Sequence, residues 1–319
     1  MKINRVLCAL LALFSLASCS LFVGVASISP QALLQGDHQA WLIFITSRIP
    51  RLLAVCLAGA GLSIAGLIMQ QIVQNRFAAP STTGTIDCAM LGYVLSIMLF
   101  SDANSLVQLG VILLFSLLGT LIFVRFLQRL KFKNTVLVPL IGIMYGNVIS
   151  SLSTFIAYKY DLMQTLSSWT VANFASVLQG NYEILYLALP VSLVAYYYAS
   201  QFSAASIGES FAKNIGLDYQ KIILIGVMIV ALLASSVVMI VGVIPFLGLI
   251  VPNLVSLFMG DNMKRNLPWT AFWGVVLVLI CDVLGRVILF PYEVPISMII
   301  SILGGITFIG LVLKDKSNG

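Results

Sequence analysis

Charge is scarce in this sequence. Only 9% of the 319 residues are charged and 60% are hydrophobic, whereas about a quarter of the residues in a soluble domain carry a charge. A water-soluble fold would lack the polar side chains needed to cover its surface. The apolar runs are continuous and do not alternate with a period of two, which disfavours a transmembrane β-barrel. The composition therefore indicates an all-α, polytopic membrane protein.

Residues for catalysis and metal binding are also scarce. His38 is the one histidine, so neither a histidine pair nor an H-E-x-x-H zinc site can form. No G-x-x-x-x-G-K-[ST] phosphate loop occurs, so this chain does not hydrolyse ATP itself. The five cysteines lie in apolar segments without a C-x-x-C pair, and they predict neither disulfides nor zinc. We expect no catalytic site, metal or cofactor in this chain, and transport becomes the default function.

The apolar runs predict about ten transmembrane helices. Their bounds are 5–27, 50–74, 84–100, 105–125, 135–157, 182–200, 219–241, 245–260, 267–289 and 294–313. With the N-terminus in the cytoplasm, thirteen of the 17 lysines and arginines fall on the inner side, as the positive-inside rule requires. The outer side keeps Arg48, Arg51, Lys159 and Arg286. We therefore expect one transmembrane domain over residues 1–319 with both termini cytoplasmic.

The N-terminus resembles a bacterial lipoprotein signal. Lys2 and Arg5 precede an apolar run that contains Leu16-Ala17-Ser18-Cys19. A cleaved signal is normally followed by polar sequence, but here the apolar run continues to Ser29. We expect an uncleaved first helix.

Two arginines stand together on the predicted outer side, against the charge bias. Arg48 and Arg51 are spaced to share one face of a helix, and Pro50 suits the first turn of a helix that begins here. Positive charge is unfavourable at a helix N-terminus. The pair therefore predicts a negatively charged partner outside the membrane. Anchoring to lipid phosphate is the alternative.

Further charges fall within the predicted spans. Asp282 and Arg286 are four residues apart on the ninth span, where they can neutralise each other. Arg286 could also reach the outer surface beside Arg48 and Arg51. Asp87 has no evident partner in the third span, and a proton relay would need several such groups in a row.

The fifth span carries a polar stripe. Asn147, Ser151 and Thr154 fall on one helical face, and Gly142 and Gly146 form a G-x-x-x-G that permits close helix contact. The stripe predicts either hydrogen bonds to neighbouring helices or a hydrated pathway. It holds no charge, which suits a large, weakly held cargo better than a bare ion.

An unusual inner loop, residues 201–221, predicts a short helix beneath the bundle. Ser206 can cap its start, Glu209 complements the helix dipole there, and Gly216 is placed to end it. Such a helix would serve as a handle for a partner protein. An ordinary surface loop is the alternative.

Taken in order, these segments resemble the permease subunits of type II ABC importers, the FecCD-type family that moves iron–siderophore complexes, haem and vitamin B12. RIPRLLAVCLAGAGLSIAGLIMQ is similar to the family's R-[LI]-P-R opening and small-residue helix. NRFAAPSTTGT resembles its N-P-L-A-x-P-x-x-x-G turn, and IGESFAKNIGLD resembles its coupling segment. GVIPFLGLIVPN and CDVLGRVILFPYEVP are similar to its G-x-I-x-F-[IV]-G-L-[IV]-x-P-H and D-x-x-A-R … E-x-P patterns. The likeness runs from about Arg48 to Leu313.

The sequence departs from this family pattern at several positions. Arg76 stands where proline is usual, Asn253 replaces histidine, and Gly285 replaces alanine. Pro245 and Thr307 replace the usual glycine and proline. The sequence PSTTGT resembles the branch of the family that serves catecholate-type siderophores more than the other branches.

The resemblance implies an importer in the bacterial cytoplasmic membrane, embedded in lipid, with no nucleic-acid partner. A substrate-loaded binding protein would dock on the outer side at Arg48, Arg51 and Arg286. An ATP-binding subunit, which holds ATP and Mg²⁺, would bind the segment at about 201–218 through Ser206, Ile207, Gly208, Glu209, Ala212, Lys213 and Gly216. A second permease chain, a paralogue or another copy, would complete the pathway. We expect this pathway to be lined by Asn147, Ser151, Thr154, Pro245, Gly248 and Pro252.

Two other functions stay open at this stage. An ion-coupled secondary transporter or channel would need charged or ion-coordinating groups near the midplane, and only Asp87 qualifies. A membrane enzyme is less favoured because acid–base and metal-binding residues are missing.

Overall fold

The computed structural model describes residues 2–24, 29–100, 104–130 and 137–317, with backbone only for residues 2–6 and 311–317. All regular structure in these ranges is helical. The α-helices are α1 (Lys2–Phe22), α2 (Pro30–Leu34), α3 (His38–Ile43), α4 (Ile49–Val73), α5 (Thr85–Leu99), α6 (Ser105–Arg129), α7 (Leu137–Lys159), α8 (Met163–Thr170), α9 (Ala188–Ala205), α10 (Glu209–Asn214), α11 (Tyr219–Val241), α12 (Leu247–Met259), α13 (Met263–Val287) and α14 (Ile296–Ser317). A π-helical turn, Phe44–Arg48, joins α3 to α4, and a 3₁₀ turn, Glu183–Leu187, precedes α9.

The all-helical membrane class is confirmed. Six helical runs are long and apolar enough to cross a membrane, and α1, α5, α12 and α14 contain shorter apolar stretches. Each predicted span overlaps one of these helices, although parts of 5–27 and 135–157 lie outside the described residues. The helices outnumber the ten predicted spans because α2, α8 and α10 are short connecting helices and α3 is the first part of the continuous helical run His38–Val73.

Helix α4 forms the centre of the core, because its small residues let other helices approach closely. A Cβ atom added at Gly59 would lie 2.8 Å from the Gly274 carbonyl oxygen on α13. On the α12 side, a Cβ atom at Gly248 would lie 2.9 Å from the Leu62 carbonyl oxygen and 3.1 Å from the Gly66 Cα atom. The glycines of the two Gly-Leu-Ile copies, at 66–68 and 248–250, therefore meet where α4 crosses α12.

The predicted close contact at the G-x-x-x-G of α7 is confirmed. Gly142 lies against the Thr82 backbone, and an added Cβ atom at Gly146 would lie 3.5 Å from the Gly84 Cα atom. Both glycines thus pack α7 onto the turn that leads into α5. The opposite face of α7 is largely exposed on the surface of the chain.

Candidate functional site

Three segments that are far apart in the sequence meet at the predicted outer end of the bundle. Arg48 ends the π-helical turn, Arg51 lies in the first turn of α4, and Asp282 and Arg286 lie near the end of α13. Glu293 lies on the loop between α13 and α14. We call these five residues the arginine cluster.

The local structure around Pro50 differs from the prediction. A helix was expected to begin here, but the chain runs as one helical segment from His38 to Val73. A π-helical turn immediately before Pro50 can accommodate a residue that lacks an N–H donor. Arg48 and Arg51 therefore do not face the open N-terminus of a helix, and the expected dipole penalty does not apply to them.

Asp282 stands between two arginines. Arg51 donates from Nε at 3.1 Å and from Nη2 at 2.8 Å to its Oδ1 atom. Arg286 donates from Nη2 to the Oδ2 atom at 2.5 Å, which confirms the predicted pair of residues four apart on α13. Arg51 also donates from Nη1 to Glu293 Oε1 at 3.0 Å. Arg51 therefore bridges α13 and the following loop.

The other two arginines hold the end of α1. Arg286 Nη1 donates to the carbonyl oxygens of Ser20 at 2.9 Å and Val23 at 2.6 Å, and its Nη2 donates to Ser20 Oγ at 2.6 Å. Arg48 Nη1 donates to the same Val23 oxygen at 2.6 Å. Carbonyls at a helix C-terminus lack intrahelical donors and carry partial negative charge, so guanidinium groups stabilise them.

The structure thus brings Arg48, Arg51 and Arg286 together, as the predicted docking site requires, but it directs them toward groups of this chain. Arg48 and Arg286 are buried, and the Arg51 side chain is 11% exposed. Glu293 is the most exposed member, at 25% of its side chain. Sequence analysis missed Glu293 as a partner, although it lies in the E-x-P motif. Arg51 and Glu293 are therefore the members of the cluster at its more accessible edge.

The polar stripe on α7 faces away from the rest of the chain. Asn147, Ser151 and Thr154 are exposed, as is Ser150 beside them. Ser151 donates its hydroxyl to the Asn147 carbonyl at 2.8 Å, and Thr154 donates to that of Ser150 at 2.9 Å. These hydroxyls therefore bond within α7 and do not link it to a neighbouring helix. They line an open groove with Phe155, Tyr158 and Met163.

The other predicted pathway residues do not share this surface. Gly248 and Pro252 are buried within the chain, where Gly248 packs on α4. Pro245 is half-buried in the turn before α12. A pathway lined by all six residues would need α7 and the start of α12 to share a surface that this arrangement of the chain does not form.

The predicted short helix in the inner loop is α10, but Ser206 does not cap it. Ser206 follows the last residue of α9 and donates to the Ser203 carbonyl at 2.8 Å. A serine at the end of a helix finds an acceptor in the preceding turn, which competes with capping the next helix. Gly208 occupies the N-cap position of α10.

Gly216 ends α10 as predicted. Its φ of +79° is left-handed, its N–H donates to Lys213 O at 3.0 Å, and the Leu217 N–H donates to Ala212 O at 2.9 Å. These two bonds form a Schellman motif. Lys213 and Glu209 form an exposed ion pair at 2.9 Å, and this hydrogen bond raises the pKa of the Lys213 ammonium.

Three apolar side chains project from this segment. Ile207, Phe211 and Ile215 are spaced four residues apart and are all exposed, Ile207 at 65%. Ala212, on the other side of α10, is buried against the bundle. Sequence analysis missed Phe211 and Ile215, although their spacing in a polar loop was a usable signal. We call Ile207, Phe211 and Ile215 the α10 patch.

Asp87 is the charged residue of the third predicted span. It lies in the first turn of α5, half-buried beside Gly146 of α7. In the part of the chain that the structure describes, no group of three or more His, Cys, Asp or Glu side chains is placed to hold a metal ion.

The model of the FecCD transport family matches residues 8–314. The chain belongs to this family.

The curated relatives agree with this assignment. The Petrobactin import system permease protein YclN of Bacillus subtilis is 47% identical over 305 residues, 96% of each chain. The Ferric-anguibactin transport system permease protein FatD of Vibrio anguillarum is 41% identical over 305 residues, 96% of this chain and 97% of the relative. A solved ABC transporter described as metal-chelate type, in an inward-facing conformation, superposes with a TM-score of 0.79 at 25% identity, covering 98% of this chain and all of that one.

Proposed function

We propose that this chain is the membrane permease of an ATP-driven importer that carries a ferric siderophore, of the catecholate type, across the bacterial cytoplasmic membrane. The observation that carries the proposal is the 47% identity over nearly the whole length to a petrobactin import permease. The 41% identity to a ferric-anguibactin permease supports the same cargo class.

The proposed topology has ten spans in one permease domain over residues 1–319. The spanning helices are α1, α4, α5, α6, α7, α9, α11, α12, α13 and α14. Both termini then lie in the cytoplasm, as the distribution of lysine and arginine favours. The arginine cluster faces outward, and the α10 patch faces the cytoplasm.

The α10 patch supports binding of a separate ATP-hydrolysing subunit. Exposed apolar side chains in a polar segment are typical of an interface. Phe211 and Ile215 project from a helix whose end is fixed by Gly216, so the patch is preorganised. The surrounding segment, about 201–218, includes the predicted coupling residues. ATP and Mg²⁺ would be held by the partner, whose conformational change this segment would transmit.

The arginine cluster supports docking of a substrate-binding protein from outside. Three guanidinium groups stand against two carboxylates, so the cluster carries an excess of one positive charge over these five residues. Such a surface attracts acidic side chains and accelerates association with them. Arg51 is the member at the surface edge, and Arg48 and Arg286 support it from behind.

The α7 stripe supports a pathway completed by a second permease chain, either a paralogue or another copy. Polar hydroxyls that face lipid would be unfavourable, and a shared aqueous pathway gives them a polar neighbour. The hydroxyls already bond within their own helix, so they do not need the cargo as a partner.

Uptake of ⁵⁵Fe-labelled petrobactin by cells that lack this gene would test the proposal. Wild type should restore uptake, and Phe211→Asp, present at the same level in the membrane, should not. A ferric hydroxamate supplied in parallel serves as the control cargo and should not be taken up through this chain. Uptake that survives loss of the ATP-hydrolysing subunit but stops when a protonophore is added would instead identify an ion-coupled secondary transporter.

A further inference from the structure

The loop between α13 and α14 places Glu293 where an outer partner would arrive. Residues 288–295 carry exposed apolar side chains, including Phe290 and Tyr292. Large aromatic side chains beside an arginine are the residues that most often dominate the energy of a protein interface. Glu293 follows Tyr292 directly and turns back toward the arginine cluster.

Arg51 holds its two acidic partners unequally. Asp282 receives aligned donors on both oxygens, from Arg51 and from Arg286, and its side chain is 2% exposed. Glu293 receives one aligned hydrogen bond, on Oε1. Its Oε2 atom is buried and lies 2.9 Å from Arg51 Nη2, but it has no aligned donor among the described residues. Glu293 therefore accepts fewer aligned hydrogen bonds than Asp282, and its side chain is the more exposed of the two.

Gly285 lets the backbone next to Glu293 pack closely on α13. The Val294 N–H donates to the Gly285 carbonyl at 2.9 Å. A Cβ atom added at position 285 would lie 2.7 Å from the Val294 carbonyl oxygen, too close for the present backbone. The absence of a side chain on Gly285 thus lets the loop approach α13 and brings Glu293 within reach of Arg51.

We propose that Glu293 is an internal competitor for the docking site. In the undocked permease its carboxylate occupies the exposed edge of Arg51, and a carboxylate of the substrate-binding protein takes its place on docking. Asp282 stays on the inner side of Arg51 throughout. This inference rests on the docking role proposed above and adds to it the residue that limits how readily docking occurs.

The exchange has a definite electrostatic consequence. One carboxylate replaces another on Arg51, so the guanidinium is paired before, during and after docking. Removal of the internal acid would leave Arg51 with its outer edge open and would add one positive charge to the docking surface. Association with an acidic partner should then become faster and more sensitive to salt.

Two variants weaken the competitor by different routes. Glu293→Gln keeps the size of the side chain and removes its charge. Gly285→Ala keeps every charge and displaces the Val294 backbone. The matched controls are Glu183→Gln, an exposed glutamate that accepts from the Gly180 N–H at 2.7 Å, and Gly110→Ala, where an added Cβ atom meets nothing within 4 Å.

The measurement is association of the permease complex in lipid nanodiscs with the purified binding protein of the same import system, loaded with ferric petrobactin. Surface plasmon resonance at low and high salt gives the rate constants. Glu293→Gln should raise the association rate constant by about tenfold at low salt, within the range that rim charges produce. Gly285→Ala should raise it in the same direction by about threefold, and both controls should match wild type.

Arg51→Gln separates failure of this inference from failure of the docking proposal. If Arg51→Gln abolishes docking while Glu293→Gln leaves it unchanged or weakens it, docking at Arg51 stands and the competitor role is wrong. If Arg51→Gln docks like wild type, both proposals fail. If Arg51→Gln does not assemble, Glu293→Gln, Gly285→Ala and their salt dependence still decide whether Glu293 competes.

Discussion

The arginine cluster and the α10 patch are both candidate partner surfaces, yet they are built in opposite ways. The cluster is buried and charged, and its arginines already hold partners within the chain. The patch is exposed and apolar, and its side chains project from α10 and from the residues that flank it. A partner at the cluster must replace existing bonds, whereas a partner at the patch only has to cover apolar surface. This difference suits transient docking at one end and lasting attachment at the other.

Removing the charge of Asp282, the central carboxylate of the arginine cluster, should give the largest effect, a loss of folding stability. Asp282→Asn leaves Arg51 and Arg286 without the carboxylate between them, and loss of one partner from a buried ion network typically costs about 3–5 kcal/mol. Thermal unfolding of the purified protein in detergent measures the change, together with the amount of protein in the membrane. The control is Asp261→Asn, whose pair with Arg76 at 2.9 Å is exposed and should contribute at most about 1 kcal/mol. Equal effects of the two variants would show that burial does not set the strength of the cluster.

Truncating the side chains of the α10 patch should have a smaller effect, limited to assembly with the ATP-hydrolysing subunit. Phe211→Ala/Ile215→Ala should weaken attachment of the ATP-hydrolysing subunit by at least about tenfold, because each exposed anchor contributes about 1–2 kcal/mol when it is covered. Thermal stability of the permease alone should not change. Co-purification of the two subunits measures the effect. The matched control, Leu289→Ala/Phe290→Ala, removes exposed apolar side chains at the other end of the molecule and should leave this co-purification intact. Loss of attachment in the control would mean that the two surfaces are not independent.

A substitution at the C-terminal end of α10 should have the smallest effect, a local loss of stability in this segment. Gly216→Ala places a Cβ atom at a left-handed residue with φ of +79°, which costs about 1 kcal/mol. Hydrogen exchange of the amides in residues 209–217 should become faster, while uptake falls only slightly. Gly110→Ala, near the start of α6 with open space around it, should not change exchange in this region. Unchanged protection in Gly216→Ala would show that contacts with α11 and α9, and not the Schellman motif, hold the segment.

The parts of this structure that depend on local spacing could be predicted from the sequence. The pair Asp282–Arg286 and the termination of α10 at Gly216 involve residues within one or two turns, and both are confirmed. The G-x-x-x-G of α7 is also a local pattern, and the close contact that it predicts is confirmed, although the pattern did not identify the turn before α5 as its partner. The bond from Arg51 to Asp282 spans 231 residues, and no local pattern encodes it. Ser206 failed as a cap because either of two neighbouring helices could use its hydroxyl. The roles of Arg48, Arg51 and Arg286 in docking stay predictions, as do the pathway residues on α7.

The hydrogen bonds that hold the outer end of α1 join residues that are synthesised at very different times. Ser20 and Val23 emerge from the ribosome long before Arg286, which follows them by 266 and 263 residues. Arg48 can donate to the Val23 carbonyl soon after α1 is made, but the three bonds from Arg286 to Ser20 and Val23 can form only after α13 has been made. Contacts of such long range form late in folding. The arginine cluster is thus complete only when translation has passed α13 and reached Glu293, and a chain that stops earlier holds the end of α1 through Arg48 alone among the cluster arginines.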